Sequence, residues 1–291
     1  MKILVTGAEG QLGSAIRDLA DQFKHFQFIL TDINELDLTD SEAVTAFVNH
    51  ERPDYIINCA AYTAVDIAEK ESDLAKLINT KVPATLARLS KTTDARLVHV
   101  STDYVFDGTT YVPYVEEDLV NPESVYGRSK LNGEIAVLKE APSSLIIRTS
   151  WLYSAYGKNF VKTMIKLGEE REELKVVYDQ IGTPTYAGDL ALAILTIINR
   201  TSKEECVWKP GIYHYSNEGV CSWYDFAKAI HELSGVTCQV RPISTDEYPS
   251  VAVRPPYSVL NKSKIKRIFG IQIPYWRDSL QHCILELKKV D

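Results

Sequence analysis

The sequence predicts an α/β fold, a Rossmann-type doubly wound parallel sheet with a smaller interleaved C-terminal lobe. Three observations predict it. Short apolar runs alternate with stretches of helical apolar spacing through the first half of the chain. Gly7, Gly10 and Gly13 follow the first run at three-residue steps. The second half is less regular, with short strands separated by loops that bear proline and glycine. Repeated β–α units favour a parallel sheet, because a parallel pair needs a crossover long enough to return the chain.

Residues 1–6 form an apolar run with β-branched members, bounded by glycine, and read as a buried strand. Gly7-Ala-Glu-Gly10-Gln-Leu-Gly13 comes next, and residues 14–22 carry helical spacing through Ile16, Leu19 and Ala20. Such a turn suits a pyrophosphate. One glycine permits the tight turn, one lets the backbone approach the phosphates and one allows close helix–strand packing. The helix N-terminus adds free N–H groups and a positive dipole end. Residues 26–30 read as the second strand. Asp32 closes it, nineteen residues after Gly13, where a carboxylate can bond an adenosine ribose 2′-hydroxyl.

Residues 55–60 read as a third strand, 73–91 as a long helix and 96–101 as a fourth strand; a helix over 124–140 and a fifth strand over 145–148 follow. Segments 58–63, 101–103 and 149–151 fall at the strands' C-terminal ends, where ligands bind in this class, and would converge on one crevice with Gly10. Further on, short strands are expected near 175–178, 211–215 and 239–243, with a helix over 187–199. The expected division puts a dinucleotide-binding domain at 1–148, with 172–199 and 222–236 packing on it. Residues 149–171, 200–221 and 237–291 would form the substrate-binding lobe.

A chain of 291 residues, 45% apolar, can bury a substantial core in two lobes. The formal charge of −7, from 32 basic and 39 acidic residues, argues against general nucleic-acid binding and leaves an anionic ligand to local groups. The five cysteines are widely scattered with no C-x-x-C pair, which fits a reducing cytosol. No leader pattern precedes the first strand, and the longest apolar stretch, near 190–198, is too short to span a bilayer. A cytoplasmic location with no membrane partner is therefore expected.

Tyr126 and Lys130, in Val-Tyr-Gly-Arg-Ser-Lys, stand four residues apart on the helix over 124–140, so both side chains share one face. A phenol titrates near ~10, and one positive charge at about 4 Å in an effective dielectric of ~20 is worth roughly 4 kcal/mol. The spacing thus predicts a phenol brought about three pH units down, close to neutrality, and able to move a proton onto or off an oxygen. Spacing alone also describes an ordinary amphipathic surface pair; the nucleotide turn upstream favours the catalytic reading.

Together these residues resemble the extended short-chain dehydrogenase/reductases, and among them the dTDP-4-dehydrorhamnose reductase family. The resemblance rests on Val-Thr-Gly-Ala-Glu-Gly-Gln-Leu-Gly at 5–13, Asn-Cys-Ala-Ala-Tyr-Thr-Ala-Val-Asp at 58–66 and Ser-Thr-Asp-Tyr-Val-Phe-Asp-Gly at 101–108. It continues in Val-Tyr-Gly-Arg-Ser-Lys at 125–130, Arg-Thr-Ser-Trp-Leu-Tyr at 148–153 and Asp-Gln-Ile-Gly-Thr-Pro-Thr at 179–185. It implies NAD(P)H-dependent reduction of the 4-keto group of dTDP-4-dehydro-6-deoxy-L-mannose to give dTDP-L-rhamnose. Tyr126 would supply the proton, Thr102 would hydrogen-bond the ketone oxygen, and Lys130 would lower the phenol and hold the nicotinamide ribose. Gly7, Gly10, Gln11, Leu12, Gly13, Asp32, Asp37, Leu38, Ala61, Tyr62, Thr63 and Val100 would line the dinucleotide with Tyr126 and Lys130. Leu38 would flank the adenine, Tyr62 and Thr63 would lie along the phosphates, and Thr102, Asp103 and Trp151 would touch the sugar nucleotide. Arg254 is a candidate clamp for its diphosphate, and a surface salt bridge explains it equally well.

Some members of that family hold Mg²⁺ at a dimer interface through glutamates, one just after the glycine turn. Gly13-Ser-Ala-Ile-Arg17 has no carboxylate there, so no metal is expected, and the chain would be a monomer or homodimer. NADPH is the expected cofactor, with NADH also accepted, since Asp32 repels a 2′-phosphate. Two other functions stay open. One is a sugar-nucleotide epimerase or dehydratase of the same superfamily; the other is a non-catalytic NADP-binding regulatory subunit resembling the methionine adenosyltransferase beta subunit.

Overall fold

A computed structural model describes residues 1–290, with side chains described to Lys288. The elements run β1 (Lys2–Thr6), α1 (Gln11–Leu19), β2 (Gln27–Thr31), α2 (Ser41–Glu51), β3 (Tyr55–Asn58), α3 (Val65–Ala68), α4 (Ser72–Lys76), α5 (Val82–Thr93), β4 (Arg96–Thr102), α6 (Val125–Glu140) and β5 (Leu145–Thr149). There follow β6 (Leu152–Tyr153), α7 (Phe160–Glu170), β7 (Glu173–Val177), β8 (Ile181–Gly182), β9 (Thr185–Tyr186), α8 (Ala187–Ser202), β10 (Gly211–His214), β11 (Cys221–Ser222), α9 (Trp223–Ser234), β12 (Gln239–Ile243), α10 (Ser263–Phe269) and α11 (Trp276–Val290).

Six parallel strands in the order β10-β5-β4-β3-β1-β2 make the central sheet. Its strands are largely apolar because both faces are covered. Ile3, Val5, Ile57, Val98 and Ile147 point to one face, against Leu12 and Ile16 of α1 and Leu190 and Ile194 of α8. Leu4, Ile56, Leu97 and Ile146 point to the other, against Val44 and Val48 of α2, Leu86 of α5 and Val137 of α6. The strand order reverses between β1 and β3, which opens a crevice above their C-terminal ends.

A second core gathers Tyr153, Val161, Leu174, Phe226, Ile230, Val240, Trp276 and Leu280 into the lobe. Its spine is a parallel pair of β7 and β12, strands more than sixty residues apart in the chain.

Three expectations need correction. Residues 211–214 are not in the lobe: β10 hydrogen-bonds β5 and completes the sheet. Residues 173–177 and 223–234 do not pack on the sheet. β7 pairs with β12, and Phe226, Ala227 and Ile230 of α9 join the lobe core, whereas α8 does cover the sheet through α1. The single helix expected over 73–91 is broken by a π turn at Leu77–Lys81. Pro83 lacks the N–H that would bond the Asn79 carbonyl in a regular helix, so the chain widens there. No helix of the described residues is long and apolar enough to cross a membrane.

Candidate active site

The glycine turn is dictated by contact. Gly7 has φ +70°, and a Cβ on Gly13 would lie 2.3 Å from the Gly7 carbonyl oxygen and 2.5 Å from Ala8 Cα. No side chain fits there. α1 consequently starts close against β1, with Gly10 as an N-cap that offers no side chain to its own helix and leaves the first N–H groups to a ligand.

Two clefts of about 420 and 580 Å³ open above this turn and share Gly10, Cys59 and Ala61. Gly7, Asp32, Asp37, Leu38 and Glu9 line the first. The Asp32 carboxylate accepts from the backbone N–H of Glu9 at 2.8 Å, so it already faces the turn. Asp37 accepts from the Thr39 hydroxyl and N–H, which hold its carboxyl below the usual range. The second cleft brings together Gln11, Leu12, Thr63, Val100, Thr102, Asp103, Tyr126, Lys130 and Trp151. Of the residues expected in the crevice, Gly13 and Tyr62 line neither cleft. Gly13 acts through packing, and the Tyr62 hydroxyl turns away to Glu71 at 2.6 Å.

α6 carries Tyr126 and Lys130 because Ser124 caps it, accepting from the Gly127 N–H. Lys130 is 2% exposed and donates to the Val100 carbonyl at 2.6 Å; burial pushes its ammonium down to about 8, against the pull of Glu134. The Tyr126 phenol is pushed up to about 12. Burial is the main cause, a Thr102 hydrogen bond opposes it and the Asp103 carboxylate adds to it. The expected fall toward neutrality is not seen: burial of the phenol, with the Asp103 carboxylate beside it, outweighs the Thr102 hydrogen bond. The phenol is therefore protonated at neutral pH, the state a proton donor must start in.

Thr102 also caps the turn Asp103–Val105, its hydroxyl accepting from the Tyr104 N–H at 3.2 Å and donating to Asp103 at 3.0 Å. Asp103 is 2% exposed and burial raises it to about 6, while one of its oxygens has no partner among the described residues. Trp151 holds a left-handed backbone, φ +48°, rare for so bulky a side chain. Its indole stacks on Trp223 with centroids 3.7 Å apart, and a Cβ on Gly182 would come within 2.6 Å of it. Arg254 bonds Asp66 at 2.6 Å and ties a lobe loop to α3.

The RmlD substrate binding domain profile matches residues 1–289. The chain is 43% identical over 287 residues to the spore coat polysaccharide biosynthesis protein SpsK of Bacillus subtilis, covering 98% of this chain and 97% of that protein. It is 42% identical to the dTDP-4-dehydrorhamnose reductase of Aggregatibacter actinomycetemcomitans, with 97% of each covered. The chain belongs to the dTDP-4-dehydrorhamnose reductase family. Among solved structures, the Clostridium acetobutylicum dTDP-4-dehydrorhamnose reductase superposes with a TM-score of 0.93 at 45% identity, covering 99% of this chain and 100% of that one. The Bacillus anthracis reductase, solved in complex with NADP, gives 0.92 at 42% identity over 98% of this chain and 99% of that one.

Within this reductase fold the sequence reading missed Asn79, Glu134 and Trp223. The π turn aims the Asn79 side chain at both sides of the Tyr62 peptide and at the Ser129 hydroxyl. Glu134 follows Lys130 by four residues, a spacing that could have found it. Trp223 sits in the first turn of α9, and only the tertiary fold brings it to Trp151.

Proposed function

We propose that this chain catalyses reduction of the 4-keto group of dTDP-4-dehydro-6-deoxy-L-mannose, giving dTDP-L-rhamnose. NADPH, when bound, supplies the hydride. The cofactor fits the residues present: the Gly7–Gly13 cradle takes a diphosphate, and Asp32, Asp37 and Leu38 line the adenosine end. Glu9, Asp32 and Asp37 bring carboxylates to that end and no lysine or arginine of the described residues lines it, so NADH is expected to serve as well.

The sheet half would hold the dinucleotide and the lobe would wall the sugar with Trp151. Tyr126 gives its proton to the oxygen that becomes negative as the ketone is reduced. A secondary alkoxide is far more basic than a phenolate, so a phenol near 12 donates to it downhill. Thr102 would turn its hydroxyl proton from Asp103 to that oxygen once the sugar is bound. Lys130 would hold the nicotinamide ribose, with its ammonium one helical turn from the phenol, and the phenolate left after donation takes a proton from water. The observation that carries this reading is the convergence of Thr102, Tyr126 and Lys130 in one cleft continuous with the glycine turn.

The test mixes the purified chain with the keto sugar nucleotide and NADPH and follows the reduced-nicotinamide absorbance. The band is expected to fall with stoichiometric alcohol formed. NADP binding without turnover would favour a regulatory subunit, and turnover without added reductant would favour an epimerase or dehydratase. NADPH and NADH rates at equal concentration check dual use; a preference beyond about a thousandfold, roughly 4 kcal/mol, would contradict it.

A further inference from the structure

Beneath the proposed catalytic residues lies a charged group that the reaction scheme leaves unused. Glu134 is 1% exposed and Arg148 2%, and their ion pair is bidentate, with Arg148 Nη2 on Oε2 at 2.7 Å and Nε on Oε1 at 3.0 Å. The Ser101 hydroxyl donates to the same carboxylate at 2.5 Å. Ser101 and Arg148 are register partners on neighbouring parallel strands, so one carboxylate grips β4 and β5 at once. The next residues along those strands are Thr102 and Thr149, and Asp103 and Trp151 follow within two more. From its own helix, Glu134 lies one turn beyond Lys130 and two turns beyond Tyr126, on the same face.

Three catalytic segments therefore meet at one side chain. We propose that Glu134 is a positioning residue for the ketone reduction, locking α6 to the ends of β4 and β5 and facing the Lys130 ammonium with a fixed negative charge.

The surroundings of Lys130 make that charge matter. From β4 it meets His99, which burial holds well below its usual range and so neutral. From the loop after β3 it meets Cys59, whose thiol burial raises to about 12. On its own helix Tyr126 is a neutral phenol. Arg148, on β5, partly offsets the carboxylate by pairing with it. Among these neighbours Glu134 brings the carboxylate, held by Arg148 and Ser101, and it opposes the burial that drives Lys130 toward the free amine. Replacing a buried ion pair by apolar groups is often neutral for stability.

This inference rests on the proposed reduction, and its test separates the two. Wild type and Glu134→Gln would be compared for kcat across pH, with melting temperature and NADPH affinity measured alongside. The alkaline fall in kcat is expected near pH 8 in the wild type, from Lys130. In the variant its midpoint should move down by about one pH unit, the field of a partly neutralised charge one helical turn away. kcat at pH 8 should fall by about fivefold as the ammonium fraction drops. Glu134→Asp, which keeps the charge, should restore the midpoint.

Should Glu134→Gln fail to fold, Glu134→Gln with Arg148→Gln removes both buried charges together and should move the midpoint in the same direction but by less, because the opposing Arg148 charge goes too. Carbon-13 shifts of labelled lysine, assigned with Lys130→Met, read that midpoint without turnover. They decide the matter even if the keto sugar proves not to be the substrate. Superimposable midpoints in wild type and the folded variant, whatever the change in melting temperature, would overturn the proposal.

Discussion

The two walls of the crevice are held by different forces. The sheet side is fixed by backbone proximity and buried charge: the Gly7–Gly13 contact, Lys130 on the Val100 carbonyl, and Glu134 on Arg148 and Ser101. Little of it can move without breaking the core. The lobe side is held by aromatic stacking, Trp151 on Trp223 and Trp223 against Phe160 at 4.6 Å. It meets the sheet through polar side chains, some buried and some exposed: Gln11 accepts from Ser154 and Asn159, Tyr156 donates to Asp18, and Arg254 bonds Asp66. The difference assigns proton chemistry to the rigid wall and recognition to the adjustable one.

That contrast can be broken from either side. The largest effect is expected on the sheet side, where Tyr126→Phe should lower kcat by at least about 10² with melting temperature and NADPH affinity kept. A loss below about tenfold would remove Tyr126 as the acid. Gly13→Ala should come next. Its methyl would overlap the Gly7 carbonyl, and relief by backbone shift costs on the order of 1–3 kcal/mol, seen as a lower melting temperature and NADPH affinity weaker by up to about 100-fold. Unchanged affinity would mean the turn is not the phosphate cradle.

On the lobe side the effects should be smaller and fall on KM. Trp223→Ala removes the stack under Trp151, worth about 0.5–1.5 kcal/mol beyond its area, so KM for the sugar nucleotide should rise by roughly twofold to tenfold with KM for NADPH unchanged. A fall in kcat equal to that of Tyr126→Phe would erase the distinction between the walls. The smallest effect is expected from Asp66→Asn, which loosens a half-exposed pair worth about 0.2–1 kcal/mol and should change KM by less than about fivefold.

The same contrast governed what could be read from the chain. The sheet half was legible because its strands are covered on both faces, so apolar runs such as residues 1–6 and 145–148 stand out, and glycine spacing has one steric meaning there. Tyr126 and Lys130 could be placed together from helical periodicity alone. Their protonation could not, because burial is a tertiary fact that outweighs a neighbouring charge. The lobe was opaque for another reason. Its strands are two to five residues long and pair across distant sequence, β7 with β12, so local pattern could not tell that 173–177 leaves the sheet or that 211–214 joins it.

Rapid mixing of the NADPH-loaded protein with excess keto sugar nucleotide tests the central claim most directly, because product release cannot mask the chemical step. Wild type should consume one equivalent of bound NADPH in a single fast phase, and Tyr126→Phe should do so at least about a hundredfold more slowly from an equally occupied site. Equal rates in the two proteins, or bound NADPH that the sugar leaves untouched in both, would contradict the account.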